Sequence, residues 1–241
     1  MPTARANGIN IYYELQGEGE PLLIIGGLST DLTQIEGLVH MLSEKFRVIT
    51  FDNRGAGRTD KPDIPYSIEM MAEDAAGLLA ECGFSPVNVM GISLGGRIAL
   101  TLVLNHPALV KSLILASTCA KTDYSRGITW SLSNLMVRIP MVRGVGTKYP
   151  QPYFAYVRQR DASKGYDETG RLKEIAKPTL IIHGKGDRVV PFRLAEDMHA
   201  GILGSRLVAL DGGHLVAFSK GRGFASAVEG FLMYPTGAPG G

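Results

Sequence analysis

Short apolar runs rich in β-branched residues alternate along the chain with longer segments whose apolar residues recur every three or four positions. A mostly parallel sheet covered by helices on both faces produces this rhythm. The runs at 9–15, 21–25, 46–51, 87–90, 110–116, 179–183 and 206–210 are read as strands. The first two flank QGEGE, a turn-rich stretch short enough for an antiparallel hairpin, and the other five read as parallel core strands. Helical spacing appears at 32–42, 70–82, 93–104, 192–199 and 224–233, the third starting abruptly after a strand and stopping before His106 and Pro107.

One stretch breaks the rhythm. From Lys121 to Arg171 no strand-like run occurs, and Trp130, Leu132, Leu135, Met136, Tyr149, Tyr153, Phe154 and Tyr156 are scattered among prolines and glycines. An insertion of this kind between two core strands reads as a small helical lid. Residues 1–120 and 172–234 would then form the core domain, 121–171 the lid, and 235–241, PTGAPGG, a flexible tail with nothing to bury.

Composition narrows the picture. A chain of 241 residues with 45% apolar content can bury one sizeable core. Its 25 Lys and Arg nearly cancel 23 Asp and Glu, so no whole-molecule field draws in nucleic acid or an anionic membrane, and the expected partner is a small molecule. Cys82 and Cys119 are the only cysteines, with no pair at metal-ligand spacing; they read as reduced thiols in a reducing compartment. MPTARANGINIYYEL lacks the apolar stretch of a signal peptide, and runs such as PLLII are too short to span a bilayer, so a soluble cytoplasmic protein is expected. Monomer and homodimer both remain open.

The chemistry begins at VNVMGISLGG, residues 87–96, where Ser93 stands between Gly91 and Gly95 at the junction of a strand and a helix. The pattern is a Gly-x-Ser-x-Gly elbow. A serine in such a turn is strained with its hydroxyl exposed, and a side chain at either glycine would crowd the approach of strand to helix. The turn also leaves the first amides of the helix unpaired, so the Leu94 N–H can donate to a developing oxyanion at the positive end of the helix dipole. Against this stands a plain glycine-rich helix start, which the strand-turn-helix setting makes the weaker reading.

With this elbow in place, the chain resembles the α/β-hydrolase family over nearly all its length apart from the lid. FDNRGAGRTDKP, residues 51–62, is similar to the family's Asp-x-Arg-Gly-x-Gly-x-Ser segment, with Thr59 in place of Ser. KPTLIIHGKGDRVVP, residues 177–191, resembles its acid-bearing strand and loop, and DGGHL, residues 211–215, its histidine loop. The resemblance implies an α/β-hydrolase fold: a mostly parallel twisted sheet of about eight strands with helices on both faces and a short helical lid.

A serine hydroxyl is a poor nucleophile near neutral pH and needs a base to take its proton and return it to the leaving group. Of His40, His106, His183, His199 and His214, only His214 lies in a glycine-rich loop after the last strand and downstream of a candidate acid. His183 ends a strand and His106 a helix, where packing or capping suffices. Asp187, just beyond a core strand, would orient the imidazole and gives the Ser, Asp, His order of this fold. Its rivals are Asp123, where the lid begins, and Asp211, which reads as a turn residue.

The resemblance assigns the second oxyanion donor to the Leu28 N–H in IGGLSTD. The family usually has His-Gly before this position, whereas Gly26 and Gly27 stand here, so the loop's anchoring side chain is missing. Arg54, with Gly55 and Gly57, reads as part of a tight structural loop in which Asp52 could pair with it.

The expected reaction is attack by Ser93 on a carbonyl, an acyl-enzyme, and hydrolysis by water activated at His214. This chemistry requires no metal or organic cofactor. A serine at the elbow argues against dehalogenase or epoxide hydrolase chemistry, which uses an aspartate there. Small carboxylic esters or lactones are the expected substrates. GGLSTDLT and STCAK resemble stretches of 3-oxoadipate enol-lactonases, and the lid's Lys121, Arg126, Arg138, Arg143, Lys148, Arg158, Arg160, Lys164 and Arg171 could attract such an anion or simply be solvated. Carbon–carbon bond hydrolysis and a slow-turnover ligand sensor are the other readings.

Overall fold

A computed structural model of the protein describes residues 2–122 and 147–234. Trp130, Leu132, Leu135, Met136, Asp123, Arg126, Arg138, Arg143 and the expected tail at 235–241 lie outside the described residues.

The fold is an α/β-hydrolase sheet of eight strands: β1 (Thr3–Ala6), β2 (Ile9–Gln16), β3 (Glu20–Ile25), β4 (Phe46–Phe51), β5 (Val87–Ile92), β6 (Val110–Ala116), β7 (Thr179–Gly184) and β8 (Arg206–Leu210). Their order is β1-β2-β4-β3-β5-β6-β7-β8. From β4 to β8 every neighbouring pair is parallel, and β1 and β2 complete one edge in antiparallel pairing.

The expected hairpin between the first two apolar runs does not form. β2 pairs with β4, which lies between it and β3. Leu22, Leu23, Ile24 and Ile25 are all fully buried, so β3 needs covered faces and a strand on each side rather than an edge position. The left-handed backbone of Gly17 and Gly19 carries the chain past the end of β4. The actual hairpin joins β1 to β2 through Asn7 and Gly8, both at positive φ (47° and 79°), as a tight two-residue loop demands.

Helices α1 (Leu32–Ser43), α2 (Ile68–Glu81), α3 (Leu94–Asn105), α4 (Tyr153–Asp161), α5 (Arg193–Gly201), α6 (Val216–Ser219) and α7 (Gly221–Met233) are seen among the described residues. Asp31 caps α1, accepting from Thr33 N–H while Gln34 reaches back to the Asp31 N–H, and Ser67 caps α2 by accepting from Met70 N–H.

Successive side chains of each core strand go to opposite faces. Leu23, Ile25, Val89, Leu113, Leu115 and Ile181 pack with α2, α3 and α5 on one side. Leu22, Ile24, Met90, Ile114, Leu180 and Ile182 pack with α1 and α7 on the other. A sheet held from both faces is rigid, and its parallel strands all end at the same rim, where Ser93, Ser117 and Asp187 follow β5, β6 and β7.

Candidate active site

The chain leaves β5 at Ile92 and enters α3 at Leu94 with Ser93 as the only hinge. Ser93 has φ 55° and ψ −113°, a strained backbone for a residue with a side chain. Its own N–H donates to Ala116 O at 2.9 Å, and its carbonyl accepts from Thr118 Oγ1 at 2.7 Å, so β6 and its loop hold the turn. The glycines are sterically required: a Cβ at Gly91 would lie 2.2 Å from Gly95 O, and one at Gly95 would lie 2.1 Å from Ile25 O. Leu94 opens α3, so its N–H has no intrahelical acceptor.

Ser93 Oγ lies 3.0 Å from His214 Nε2, and His214 Nδ1 lies 2.8 Å from Asp187 Oδ2. A carboxylate only accepts, so Nδ1 carries the hydrogen and Nε2 is free to accept from the serine. Asp187 is 6% exposed. Burial acts to raise its pKa, but hydrogen bonds from His183, His214 and the Val190 N–H outweigh that and hold the carboxyl well below the usual carboxylate range. Its Oδ1 accepts from the N–H groups of Val189 and Val190, both at 2.8 Å.

The fully buried His183 is a partner of Asp187 that sequence reading assigned only to packing. Its Nε2 lies 2.8 Å from Val190 O and 3.3 Å from Asp187 Oδ2. Both neighbours are acceptors, so Nε2 bears the hydrogen and is shared between them, while Nδ1 has no partner among the described residues. The rival Asp211 is largely exposed and paired with Lys185 at 2.9 Å.

Gly27 lies against the elbow: a Cβ built there would be 3.5 Å from Ser93 Cβ and 3.5 Å from Ile92 O. That brings the peptide carrying the Leu28 N–H beside the serine. The neighbouring Asp52 and Arg54 do not pair with each other. Asp52 accepts from Leu32 N–H at 2.9 Å and Arg58 N–H at 2.8 Å, and burial raises its pKa. Arg54 instead grips Asp74 from α2 through two hydrogen bonds, Nε at 2.8 Å and Nη2 at 2.6 Å, one to each carboxylate oxygen.

Residues 20–134 match the sequence profile of the alpha/beta hydrolase fold family, and residues 155–239 match that of the TAP-like protein family. An esterase structure from Exiguobacterium antarcticum superposes with a TM-score of 0.84 at 28% identity, covering 98% of this chain and 99% of that one. The chain belongs to the α/β-hydrolase fold family. Among sequence relatives of this α/β-hydrolase, RutD of Azorhizobium caulinodans, provisionally named a carbamate hydrolase, is 27% identical over 88% of this chain and 91% of its own. The 3-oxoadipate enol-lactonase 2 of Acinetobacter baylyi is 24% identical over 95% of this chain and 96% of its own. Among the described residues of the α/β-hydrolase, no helix is long and apolar enough to cross a membrane.

Proposed function

We propose that this protein is a serine hydrolase of small carboxylic esters or lactones, with Ser93 as nucleophile, His214 as base and Asp187 as the orienting acid. The observation that carries the reading is the continuous hydrogen-bonded chain from Ser93 Oγ through both His214 nitrogens to Asp187. In this scheme Ser93 Oγ bonds to the carbonyl carbon as its proton passes to His214 Nε2. The carbonyl oxygen takes the negative charge facing the N–H groups of Leu28 and Leu94. Collapse of the tetrahedral adduct expels the alcohol, which takes the proton from His214 and leaves an acyl group on Ser93. Water, deprotonated by His214, then releases the acid and restores the serine.

The insertion at 121–171 is proposed to cover the site, supported by α4, whose buried Gln159 reaches Ser29 and Arg54. Of its six described cations, Lys121, Arg158, Arg160, Lys164 and Arg171 each pair with an acid, and Lys148 does not among the described residues. Charges that are mostly paired favour an uncharged ester over an anionic substrate. The enol-lactone reading rests on the Acinetobacter baylyi relative.

The test is turnover of p-nitrophenyl acetate and butyrate, simple lactones and an enol-lactone by the protein and by Ser93→Ala. Turnover abolished by the substitution supports the proposal, and the preferred substrate selects among its forms. Absence of turnover with tight ligand binding would favour a sensor instead.

A further inference from the structure

The loop that carries the Leu28 N–H is a strained turn whose own residues do little to hold it. Thr30 N–H donates to Gly27 O at 3.3 Å, closing a turn over Gly27–Thr30, and Ser29 at its third position has φ 63°. That conformation suits glycine and strains a serine. Across a trans peptide the carbonyl and the following N–H point in opposite directions. With Gly27 O turned into the loop, the Leu28 N–H faces out of the turn, and Gly27 itself lies against Ser93. Gly26 and Gly27 contribute no side chain to keep it so.

Two buried glutamines from the inserted segment hold this turn from outside. Gln159, fully buried on α4, accepts from Ser29 N–H at 3.0 Å and donates to Arg54 O at 2.7 Å. Gln151, 3% exposed, accepts from Ser29 Oγ at 2.7 Å and donates to Gly55 O at 2.8 Å. Each amide thus spans the same two loops with both ends occupied, at a cost in desolvation that only a fully bonded amide can offset. The far loop is itself fixed, because Arg54 is clamped by Asp74 and Gly55 N–H donates to Asp60 O at 3.0 Å. Asn53 adds a third tie by donating from Nδ2 to Gly26 O at 2.9 Å.

We infer that Gln159 and Gln151 are positioning residues for the oxyanion loop: by gripping Ser29 they aim the Leu28 N–H at the charge that develops beside Ser93. The inference rests on the hydrolase reading above and adds to it a link between the inserted segment and catalytic rate. Neither glutamine touches the reacting atoms in this scheme. Their effect is on the donor, which acts when the carbonyl becomes tetrahedral and much less when the ester first binds.

Gln159→Met keeps length and removes both hydrogen bonds. On p-nitrophenyl butyrate it should lower kcat about 10- to 100-fold, part of what deleting a whole oxyanion donor costs, with KM within about threefold of wild type. Inhibition by 2,2,2-trifluoroacetophenone supplies the second readout. Ser93 adds to its carbonyl carbon, the proton goes to His214, and the alkoxide occupies the oxyanion position, so its inhibition constant should rise by a similar factor to the fall in kcat. A purely structural role would lower thermal stability without moving rate and inhibition together. Gln151→Met and Ser29→Ala both cut the bond between Ser29 Oγ and Gln151, the former also the one to Gly55 O, and each should show a smaller loss; they carry the test if Gln159→Met does not fold. Unchanged kcat and inhibition in the folded variants, or a fall in kcat with inhibition unchanged, overturns the positioning role. Wild type and Ser93→Ala are measured alongside. If wild type gives no turnover that Ser93→Ala removes, the hydrolase reading fails and this inference with it. If turnover is present and the glutamine variants leave it intact, only the positioning role falls.

Discussion

Replacing Asp187 with asparagine changes one oxygen to an NH2 group, and the surroundings dictate which one. Oδ1 accepts from two backbone N–H groups at 2.8 Å, so an amide turned the wrong way would set its NH2 against two donors. Leaving both unpaired costs about 2–6 kcal/mol. Moving a proton between the nitrogens of a neutral imidazole costs far less. The amide oxygen therefore stays on Val189 and Val190, and the NH2 takes the place of Oδ2, 2.8 Å from His214 Nδ1. His214 then accepts at Nδ1 and carries its hydrogen on Nε2, facing Ser93 Oγ as a donor. The serine loses its base although every heavy atom remains in place. The expected loss in kcat/KM is on the order of 10⁴-fold, or about 5.4 kcal/mol of transition-state stabilisation. Steady-state hydrolysis of p-nitrophenyl acetate measures the loss, and nitrogen-15 shifts of His214 report the tautomer. A variant that keeps more than about a tenth of wild-type kcat/KM with its hydrogen on Nε2 would show that the tautomer does not control the rate.

Three further outcomes concern the buried charges. Asp74→Leu strands the Arg54 guanidinium, whose side chain is 3% exposed, and should cost about 3–5 kcal/mol in urea unfolding, whereas Arg54→Met combined with Asp74→Leu should recover most of that; equal losses in both variants would contradict the burial argument. The depressed pKa of Asp187 contributes stability that is fully present above the ordinary carboxylate value near 3.9 and is lost as pH falls through the lower folded value. Asp187→Asn should therefore lose less stability than wild type between about pH 5 and pH 2. Asp187 also stays ionised across the working range, so its carboxyl should add no proton to the acid limb of the wild-type rate, and a two-proton slope there would contradict its lowered pKa.

Five of the six parallel strands were read as such, and β4 to β7 stood out because a strand buried on both faces must be apolar at nearly every position. β4, β6 and β8 begin and end where the sequence pattern puts them. β5 runs to Ile92, beyond the expected end at Met90, because Gly91 reads as a break yet pairs with Ile25 and Leu115 in the ladder. Its missing side chain serves the approach of Gly95, not a turn. β1 escaped notice since TARA offers only two alanines to the core, and the pairing of β2 was misread because proximity in sequence favours a hairpin. What decides that case is how many sides of β3 must be covered, a property of the whole sheet.

The same distinction runs through the candidate site. Ser93, Asp187 and His214 sit in segments whose glycines and strand ends are sterically forced, so the spacing itself marks them. Gln151, Gln159 and His183 touch those segments, yet each reaches across by one side chain from a place where no backbone constraint demands a particular residue. A glutamine on a polar helix and a histidine at the end of an apolar strand look like surface and packing, and only their burial with every amide end bonded, or with Nε2 shared on Asp187, distinguishes them. Substrate choice is hidden for a related reason. The sequence counts the cations of residues 121–171, but a cation steers an anion only with its charge free, and among the described residues Lys121 lies 2.7 Å from Asp167 and Arg158 lies 2.9 Å from Asp63. Pairing of that kind is a fact of three dimensions that a count of residues along the chain does not contain.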